Sequence, residues 1–302
     1  MQDRRYSRQV TGFAAPGFRS PHTARRLRGP SLLWGAGALA GLGVLGWLGL
    51  QVQPRPFPPA LPGPGVTRTV ALPAGLPAPV ERYYRQTYGE RLPVITSAVI
   101  TGRATLRPVP GGPTFPARFR FIHEAGRNYR HYIEATWFGL PLLRVNEAYL
   151  DSVSRQEMPW PLPSSAGNPK GAQAANLGLW SETLWMPAVY LTDPRVHWEP
   201  VDDTTALLRV PFGQAEETYV VRFDPVTGRP AVMEVMRYQN AADEAKSLWL
   251  NLTLNWAEFG GVTLPGKAAA LWLNQGRPWA VFTAEQVSYN ADVGAAIRQR
   301  GP

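Results

Sequence analysis

The sequence contains no cysteine. This absence excludes a disulfide framework, a thiol nucleophile, a cysteine zinc site and a lipidated cysteine. A chain of 302 residues with 44% hydrophobic residues is nevertheless long enough to bury a sizeable core. We therefore expect one large domain, or two small ones, stabilised by apolar packing without covalent cross-links.

The signature motifs of common enzymes are also missing. The chain has no HExxH pair, no GxSxG elbow, no Ser-x-x-Lys motif and no complete Walker loop. Since no nucleophile can be paired with a base, we predict that the protein is not an enzyme and that it uses no cofactor.

Histidine is scarce, with four residues, and none of the pairs has the usual spacing of a zinc site. His123 and His131 fall on neighbouring predicted strands, where a metal site with Glu124 or Glu134 could be built. A surface or half-buried histidine is the commoner occurrence in a strand, so we predict no metal site.

Charge is unevenly distributed along the chain. The formal net charge is +9, and residues 1–30 carry +6 of it, from seven arginines and one aspartate. The rest of the chain is nearly neutral at +3, which argues against a nucleic-acid partner. The basic character therefore belongs to the N-terminal tail.

An apolar run follows this tail. No charged residue lies between Arg28 and Arg55, and residues 32–50 would form a helix of about 28 Å, close to the thickness of a bilayer core. We predict a single transmembrane helix at residues 31–52. The membrane is thus the first predicted partner.

The position of the arginines predicts the orientation of this helix. Because they all precede it, residues 1–30 should be a cytoplasmic tail, and the C-terminal domain should lie outside the cytoplasm. The segment would then be an uncleaved signal anchor in the cytoplasmic membrane. A cleaved signal peptide is the competing interpretation, and Arg25-Arg26 also allows a twin-arginine export signal.

Proline dominates the segment that comes next. Residues 53–77 predict an extended, semi-rigid linker that holds the following domain away from the membrane. A short helix follows, with Pro79 in its first turn and Gly89 at its end. Its apolar face consists of Val80, Tyr83, Tyr84 and Thr87.

Strand patterns fill most of residues 78–302. The clearest is the alternation of apolar and polar residues from Leu248 to Trp256, which predicts a strand with one apolar face. Short connections rich in turn residues indicate antiparallel pairing. We predict a mainly β (α+β) fold, in which a large curved antiparallel sheet or half-barrel of about eleven strands carries two covering helices.

The second covering helix is predicted at residues 170–185. Leu177, Trp180 and Leu184 fall on one stripe, and Pro187 ends the helix. Glu182 lies off this stripe by helical angle, so we expect it to face solvent.

Three sequence blocks resemble an uncharacterised bacterial family, a domain of unknown function. They are Trp185-x-Pro187, Arg195-x-x-Trp198-x-x-x-Asp202-Asp203 and Glu258-Phe259-Gly260-Gly261-Val262-x-x-Pro265. The resemblance covers residues 78–290, but residues 101–148 do not match the Trp-containing strand of the family. At fold level the family is similar to the LolA/LolB lipoprotein-carrier superfamily, half-open antiparallel barrels whose apolar concave face receives lipid chains. The resemblance implies a LolA-like β domain.

These observations predict a membrane-anchored extracytoplasmic domain that binds a lipid or other apolar molecule in the bacterial envelope. The predicted ligand-binding residues are Trp180, Leu184, Trp185, Leu250, Leu252 and Trp256. The alternative is an envelope scaffold module that binds another protein and has a closed core without a small ligand. A cavity of roughly a few hundred Å³ between sheet and helix would favour the first function. A filled core with an exposed apolar patch would favour the second.

Overall fold

A thirteen-stranded antiparallel sheet forms the body of the protein, accompanied by a separate two-stranded sheet. The computed structural model describes residues 29–58, 63–158 and 164–301, with side chains from residue 34 onwards. The basic tail predicted for residues 1–30 lies outside the described residues except for its last two. The chain divides into two compact units, residues 1–45 and 46–302, and the sheets belong to the second.

The chain consists of runs of consecutive strands, interrupted by a few helices. The strands are β1 (Thr69–Ala71), β2 (Arg91–Pro93), β3 (Ser97–Leu106), β4 (Phe115–Glu124), β5 (Asn128–Trp137), β6 (Leu140–Leu150), β7 (Val153–Glu157), β8 (Ser165–Ala166), β9 (His197–Pro200), β10 (Thr205–Phe212), β11 (Ala215–Phe223), β12 (Pro230–Arg237), β13 (Ser247–Phe259), β14 (Val262–Trp272) and β15 (Pro278–Tyr289). The helices are α1 (Gly29–Gln51), α2 (Ala78–Tyr88), α3 (Pro169–Glu182) and α4 (Val189–Thr192), with a 3-10 turn at Thr183–Trp185.

The large sheet consists of two meanders joined in the middle. Strands β3 to β8 follow one another on one side and β9 to β15 on the other, and the pairing of β3 with β15 connects them. Strands β8 and β9 are the two edges, so the described strands do not close into a ring. The prediction of a large, curved antiparallel sheet is confirmed.

The concave face of this sheet carries the main core. Helices α2 and α3, the turn Thr183–Trp185 and α4 cover it, and residues from all four are buried against the sheet. Helix α2 has the predicted Pro79 in its first turn, and Gly89 follows its end with φ of 70°. Asn168 caps α3, because its side chain accepts hydrogen bonds from the backbone N–H groups of Lys170 and Gly171. The two predicted covering helices are therefore present.

The leucines of strand β13 lie on the outer face of the sheet, opposite the main core. Its core-facing residues are Trp249 and Asn251, which pair with the buried Val235 and Met233 of β12. Leu250 and Leu252 alternate with them and lie on the outer face of the sheet. The strand was predicted correctly, but the prediction that its leucines face the core was wrong.

The proline-rich linker packs against the domain that follows it. Phe57 is buried on the outer face, where its ring lies 5.4 Å from that of Tyr132 and under the guanidinium of Arg118. Arg120 Nη2 donates to the carbonyl of Pro58 at 3.0 Å. Farther along the linker, β1 pairs with β2. Parts of the predicted linker, residues 53–77, thus contact the β domain.

Helix α1 spans Gly29–Gln51 and has 23 residues. In the part of the chain that the structure describes, no helix has both the length and the apolar character required to cross a membrane.

Candidate functional site

Two cavities lie between the concave face of the sheet and the helices that cover it. The first has a volume of about 30 Å³ and is lined by Tyr83, Tyr190, Trp198, Met233 and Trp256, among others. The second has a volume of about 70 Å³. Leu184 and Asn251 line both cavities and therefore separate them.

The second cavity has apolar and polar walls. Its apolar side is formed by Phe121, Ile133, Trp185, Trp249 and Phe282. His131, Glu147, Glu182 and Arg237 form the polar side. Glu147, Arg237 and Trp279 also line a wider groove of about 450 Å³, so the second cavity adjoins a space that is large enough for a small molecule.

Several buried donors at these cavities have no hydrogen-bond partner among the described residues. They are Nε1 of Trp198 at the first cavity, Nε1 of Trp249 and Trp279 at the second, and Nδ2 of Asn251 between the two. Buried polar groups in proteins are nearly always paired, so a cluster of unpaired donors requires an explanation. A bound molecule with acceptor atoms would provide one.

Two histidines and a glutamate meet beside the second cavity. His123 and His131 lie on β4 and β5 and project from the same, concave face, since pairing places Phe121 opposite His131 and His123 opposite Tyr129. Glu182 comes from the end of α3. Its Oε2 lies 2.6 Å from His131 Nε2 and 3.1 Å from His123 Nε2.

Burial and the neighbouring charges have opposing effects on the pKa values of His123 and Glu182. Burial lowers the pKa of His123, although the Glu182 carboxylate opposes this effect. For Glu182, burial acts to raise the pKa, but the two imidazoles outweigh it and lower the pKa to about 2. A carboxylate and a neutral His123 imidazole therefore coexist near neutral pH.

A second group of side chains orients His131. The ring of Tyr129 stacks on the imidazole with centroids 3.9 Å apart. The Tyr129 hydroxyl donates to Glu147 Oε1 at 2.6 Å, and the other carboxylate oxygen of Glu147 lies 4.0 Å from His131 Nδ1. Both ring nitrogens of His131 thus face a carboxylate.

Residues 66–284 match the sequence model of DUF6544, a family of unknown function. The chain belongs to the DUF6544 family. This confirms the resemblance to an uncharacterised family that the sequence blocks indicated. No curated protein matches the chain.

Solved structures similar to this DUF6544 protein are distant in sequence. A LolA superfamily protein from Nitrosomonas europaea has a TM-score of 0.45 at 10% identity, covering 74% of this chain and 99% of that one. A DUF1329 family protein from Desulfovibrio piger has a TM-score of 0.40 at 9% identity, with 68% and 91% covered. A putative outer membrane lipoprotein-sorting protein domain from Vibrio parahaemolyticus has a TM-score of 0.38 at 10% identity, with 65% and 86% covered.

The predicted ligand-binding residues of the DUF6544 chain separate into three groups. Leu184, Trp185 and Trp256 line the cavities. Trp180 is fully buried in the core away from both cavities, with its ring stacked 6.4 Å from that of Tyr190. The remaining two lie on the outer face of the sheet and line neither cavity, namely Leu250 and Leu252.

Glu182 does not face solvent as predicted. Its side chain is only 17% exposed, because the curved sheet surrounds α3 on more than the one side that its apolar stripe suggested. Glu124 and Glu134, which the sequence analysis considered as partners of the histidines, lie on the outer face instead, where Arg118 binds Glu134. The parity of residue numbers across the β4–β5 turn could have shown this, because odd positions of both strands share the concave face.

Proposed function

We propose that this DUF6544 protein binds a lipid or another apolar molecule on the concave face of its sheet, beneath α3. The observation that carries the proposal is the cluster of unpaired donors around the two cavities, on Trp198, Trp249, Trp279 and Asn251. Each such group costs about 1–3 kcal/mol when left without a partner. Their grouping around one space supports an occupant with acceptor atoms.

The ligand must enlarge the space that receives it. Cavities of about 30 and 70 Å³ are smaller than the roughly 300–1,000 Å³ of most ligand sites. Two tyrosine hydroxyls hold α3 and the turn Thr183–Trp185 in place. Tyr219 donates to the Leu177 carbonyl, and Tyr289 donates to the Trp185 carbonyl. We therefore propose that the side chain of Leu184, which separates the cavities, moves before any helix does.

The wider groove would hold the polar end of the molecule. It adjoins the second cavity at Glu147, Arg237 and Trp279, and Arg155 and Lys170 also line it. Three basic side chains against one acidic side chain favour an anionic head group. An amphiphile with its apolar end beneath Leu184 and its anionic end in the groove fits this arrangement.

Native mass spectrometry of the full chain, released from its native membrane, tests the proposal. We expect one co-purified apolar molecule per chain. Leu184→Trp fills both cavities and should remove the bound mass, whereas Leu254→Trp on the outer face should retain it. An unliganded wild-type protein, or equal retention by both variants, would contradict the proposal.

A single-pass membrane anchor at residues 31–52 is the second part of the proposal. It is supported by the arginine-rich tail and by the exposed apolar side chains of α1, which include Trp34, Leu39 and Leu42. The tail would be cytoplasmic and the β domain extracytoplasmic.

The turn between β5 and β6 also supports a position of the β domain next to the membrane. Its side chains Trp137, Phe138, Leu140 and Leu142 are 37–70% exposed although all four are large and apolar. The turn meets the C-terminal end of α1, where Trp137 Nε1 donates to the Gly46 carbonyl and the Phe138 backbone to that of Gly49. A bilayer interface at the end of α1 would cover these side chains.

Topology and cleavage are tested separately from ligand binding. A reporter that fluoresces only in the cytoplasm should be dark when fused after Pro302. Protein isolated from membranes should retain its N-terminal tail, and a mature N-terminus near Gln53 would instead show a cleaved signal peptide.

Binding of another envelope protein is the alternative function. One observation favours it: the outer-face leucines of β13 form an apolar stripe beside Met236, and Leu254 and Met236 are each 48% exposed. If both cavities are only packing defects, this stripe would be the functional surface and the core would hold no ligand.

A further inference from the structure

We infer that His123, His131 and Glu182 bind one divalent transition-metal ion, and that zinc fits the site best. The inference does not rest on the proposed apolar ligand, since the three side chains form the site by themselves. It differs from the sequence-based prediction of no metal site.

The donor set is one that zinc uses. Imidazole nitrogen and carboxylate oxygen are both ordinary zinc ligands, and three protein ligands leave a fourth position open. The three donor atoms come from three separate places in the fold, β4, β5 and the end of α3. They lie within 4.8 Å of one another. Folding alone therefore assembles the site.

The contacts of Glu182 with the two histidines are slightly shorter than the ligand separations around zinc. Zinc bonds of about 2.0–2.1 Å in a tetrahedron separate the ligand atoms by about 3.3 Å. Glu182 Oε2 lies 3.1 Å from His123 Nε2 and 2.6 Å from His131 Nε2. An ion would therefore widen the first contact by about 0.2 Å and the second by about 0.7 Å.

His123 provides an independent reason to expect a ligand. It is fully buried, and neither ring nitrogen has a hydrogen-bond partner of acceptable geometry in the described ranges. Its Nε2 lies 3.1 Å from Glu182 Oε2 without hydrogen-bond geometry, which is an unfavourable arrangement for a buried imidazole. An ion at Nε2 would satisfy the nitrogen that points toward Glu182.

Supporting groups of the kind found around metal ligands are present as well. A metal-binding histidine usually directs its other nitrogen at a carboxylate, which fixes the ring. His131 Nδ1 faces Glu147 Oε2 at 4.0 Å, and the Tyr129 hydroxyl holds that carboxylate at 2.6 Å. Glu147 is thus a positioning residue for His131.

The open coordination position would face the second cavity. His131 and Glu182 line this cavity of about 70 Å³, which has room for a water molecule. An ion bound there would carry water as its fourth ligand.

Zinc titration of the full, tag-free chain tests the inference. The protein is stripped with a chelator and titrated calorimetrically with zinc chloride, and the bound metal is counted by mass spectrometry. We expect one ion per chain. Glu182→Gln and His123→Phe should abolish stoichiometric binding, Glu147→Gln should weaken it by roughly 10–100-fold, and the half-exposed His197→Gln should leave it unchanged.

The variants also separate a metal site from a plain histidine–glutamate hydrogen bond. His123→Phe replaces an unpaired imidazole with an apolar ring, so it should stay folded without metal. X-ray absorption of the zinc-loaded wild type reports the ligands directly and does not depend on any variant. No zinc on the wild type, or a ligand set other than two imidazoles with oxygen donors, would overturn the inference.

Discussion

At the scale of single residues, Asn251 presents the sharpest energetic question. Its Nδ2 is buried without a partner between the two cavities, whereas the buried Asn176 donates its Nδ2 to the Pro211 carbonyl at 3.0 Å. The two amides have similar burial and opposite pairing. They therefore form a matched pair for mutation.

Replacing Asn251 with leucine should raise the free energy of unfolding by about 1 kcal/mol, because an unsatisfied buried donor is removed. Asn176→Leu should lower it by about 1–3 kcal/mol, because the Pro211 carbonyl loses its donor. Urea unfolding measures both values. A comparable loss in the two variants would mean that Asn251 is already paired, and it would contradict the proposed ligand site.

Mutation of Trp185 tests how the turn Thr183–Trp185 packs against the sheet. Its ring is buried against Phe119 and Phe121, and its Nε1 donates to the Pro265 carbonyl at 2.8 Å. Trp185→Ala should cost about 3–5 kcal/mol in unfolding free energy, and toward the lower end because the ring borders a cavity. Trp185→Phe should cost about 1 kcal/mol for the lost hydrogen bond. A loss below about 1 kcal/mol in the alanine variant would contradict this packing.

The sequence indicates the burial of some residues that line the cavities, but not of others. The burial of Trp185 follows from the sequence, because a proline-terminated helix with large apolar groups on one side must bury them. Asn251 could not be found, because a polar residue in an alternating strand is normally assigned to the solvent face. Its burial depends on the neighbouring strand, which local sequence does not encode.

At the scale of elements, β13 shows the limit of a period-two pattern. Alternation predicts a strand. It does not indicate which face is buried when both faces carry large apolar residues. Here Trp249 faces the core and the leucines face outward. A register shift between Thr253 and Trp256 then returns Trp256 to the concave face.

A pair of leucine variants tests this assignment. Leu208 of β10 is fully buried in the core, so Leu208→Ala should cost about 2–5 kcal/mol in unfolding free energy. Leu254 is 48% exposed, and Leu254→Ala should change the free energy of unfolding by only about 0.5 kcal/mol. Chemical denaturation compares the two. Equal costs would place the β13 leucines in the core after all.

Helices were easier to predict than the strand faces. The bounds of α2 agree with the sequence because Pro79 and Gly89 mark its two ends. For α3 the apolar stripe located the helix but not its surroundings, and Glu182 was misplaced for that reason. A stripe shows one buried side, and only the tertiary fold shows that further sides are covered.

At the scale of the whole molecule, the central pairing of β3 with β15 joins segments about 180 residues apart in the chain. Local patterns predict the meanders on each side, but not which strands meet in the middle. The outer face is likewise completed by distant segments, the linker around Phe57 and the C-terminal residues around Ile297. The outer leucines of β13 lie on this same face.

The absence of cysteine makes the proposed membrane contact measurable. A single Leu140→Cys variant can carry an environment-sensitive fluorophore, and Val226→Cys, at a position 91% exposed, is the control. In lipid nanodiscs the label at position 140 should emit at shorter wavelength and be quenched by lipid-borne quenchers. The control label should not. Identical behaviour at the two positions would place the β5–β6 turn away from the bilayer.

Site-specific photo-crosslinking in intact cells tests the central claim most directly. A diazirine amino acid replaces Leu184, which lines both cavities, or Leu254 on the outer face. We predict that irradiation adds the mass of a lipid-sized molecule to the chain at position 184 and not at position 254. No adduct at position 184, together with a protein adduct at position 254, would contradict ligand binding and establish the outer leucine stripe as the functional surface.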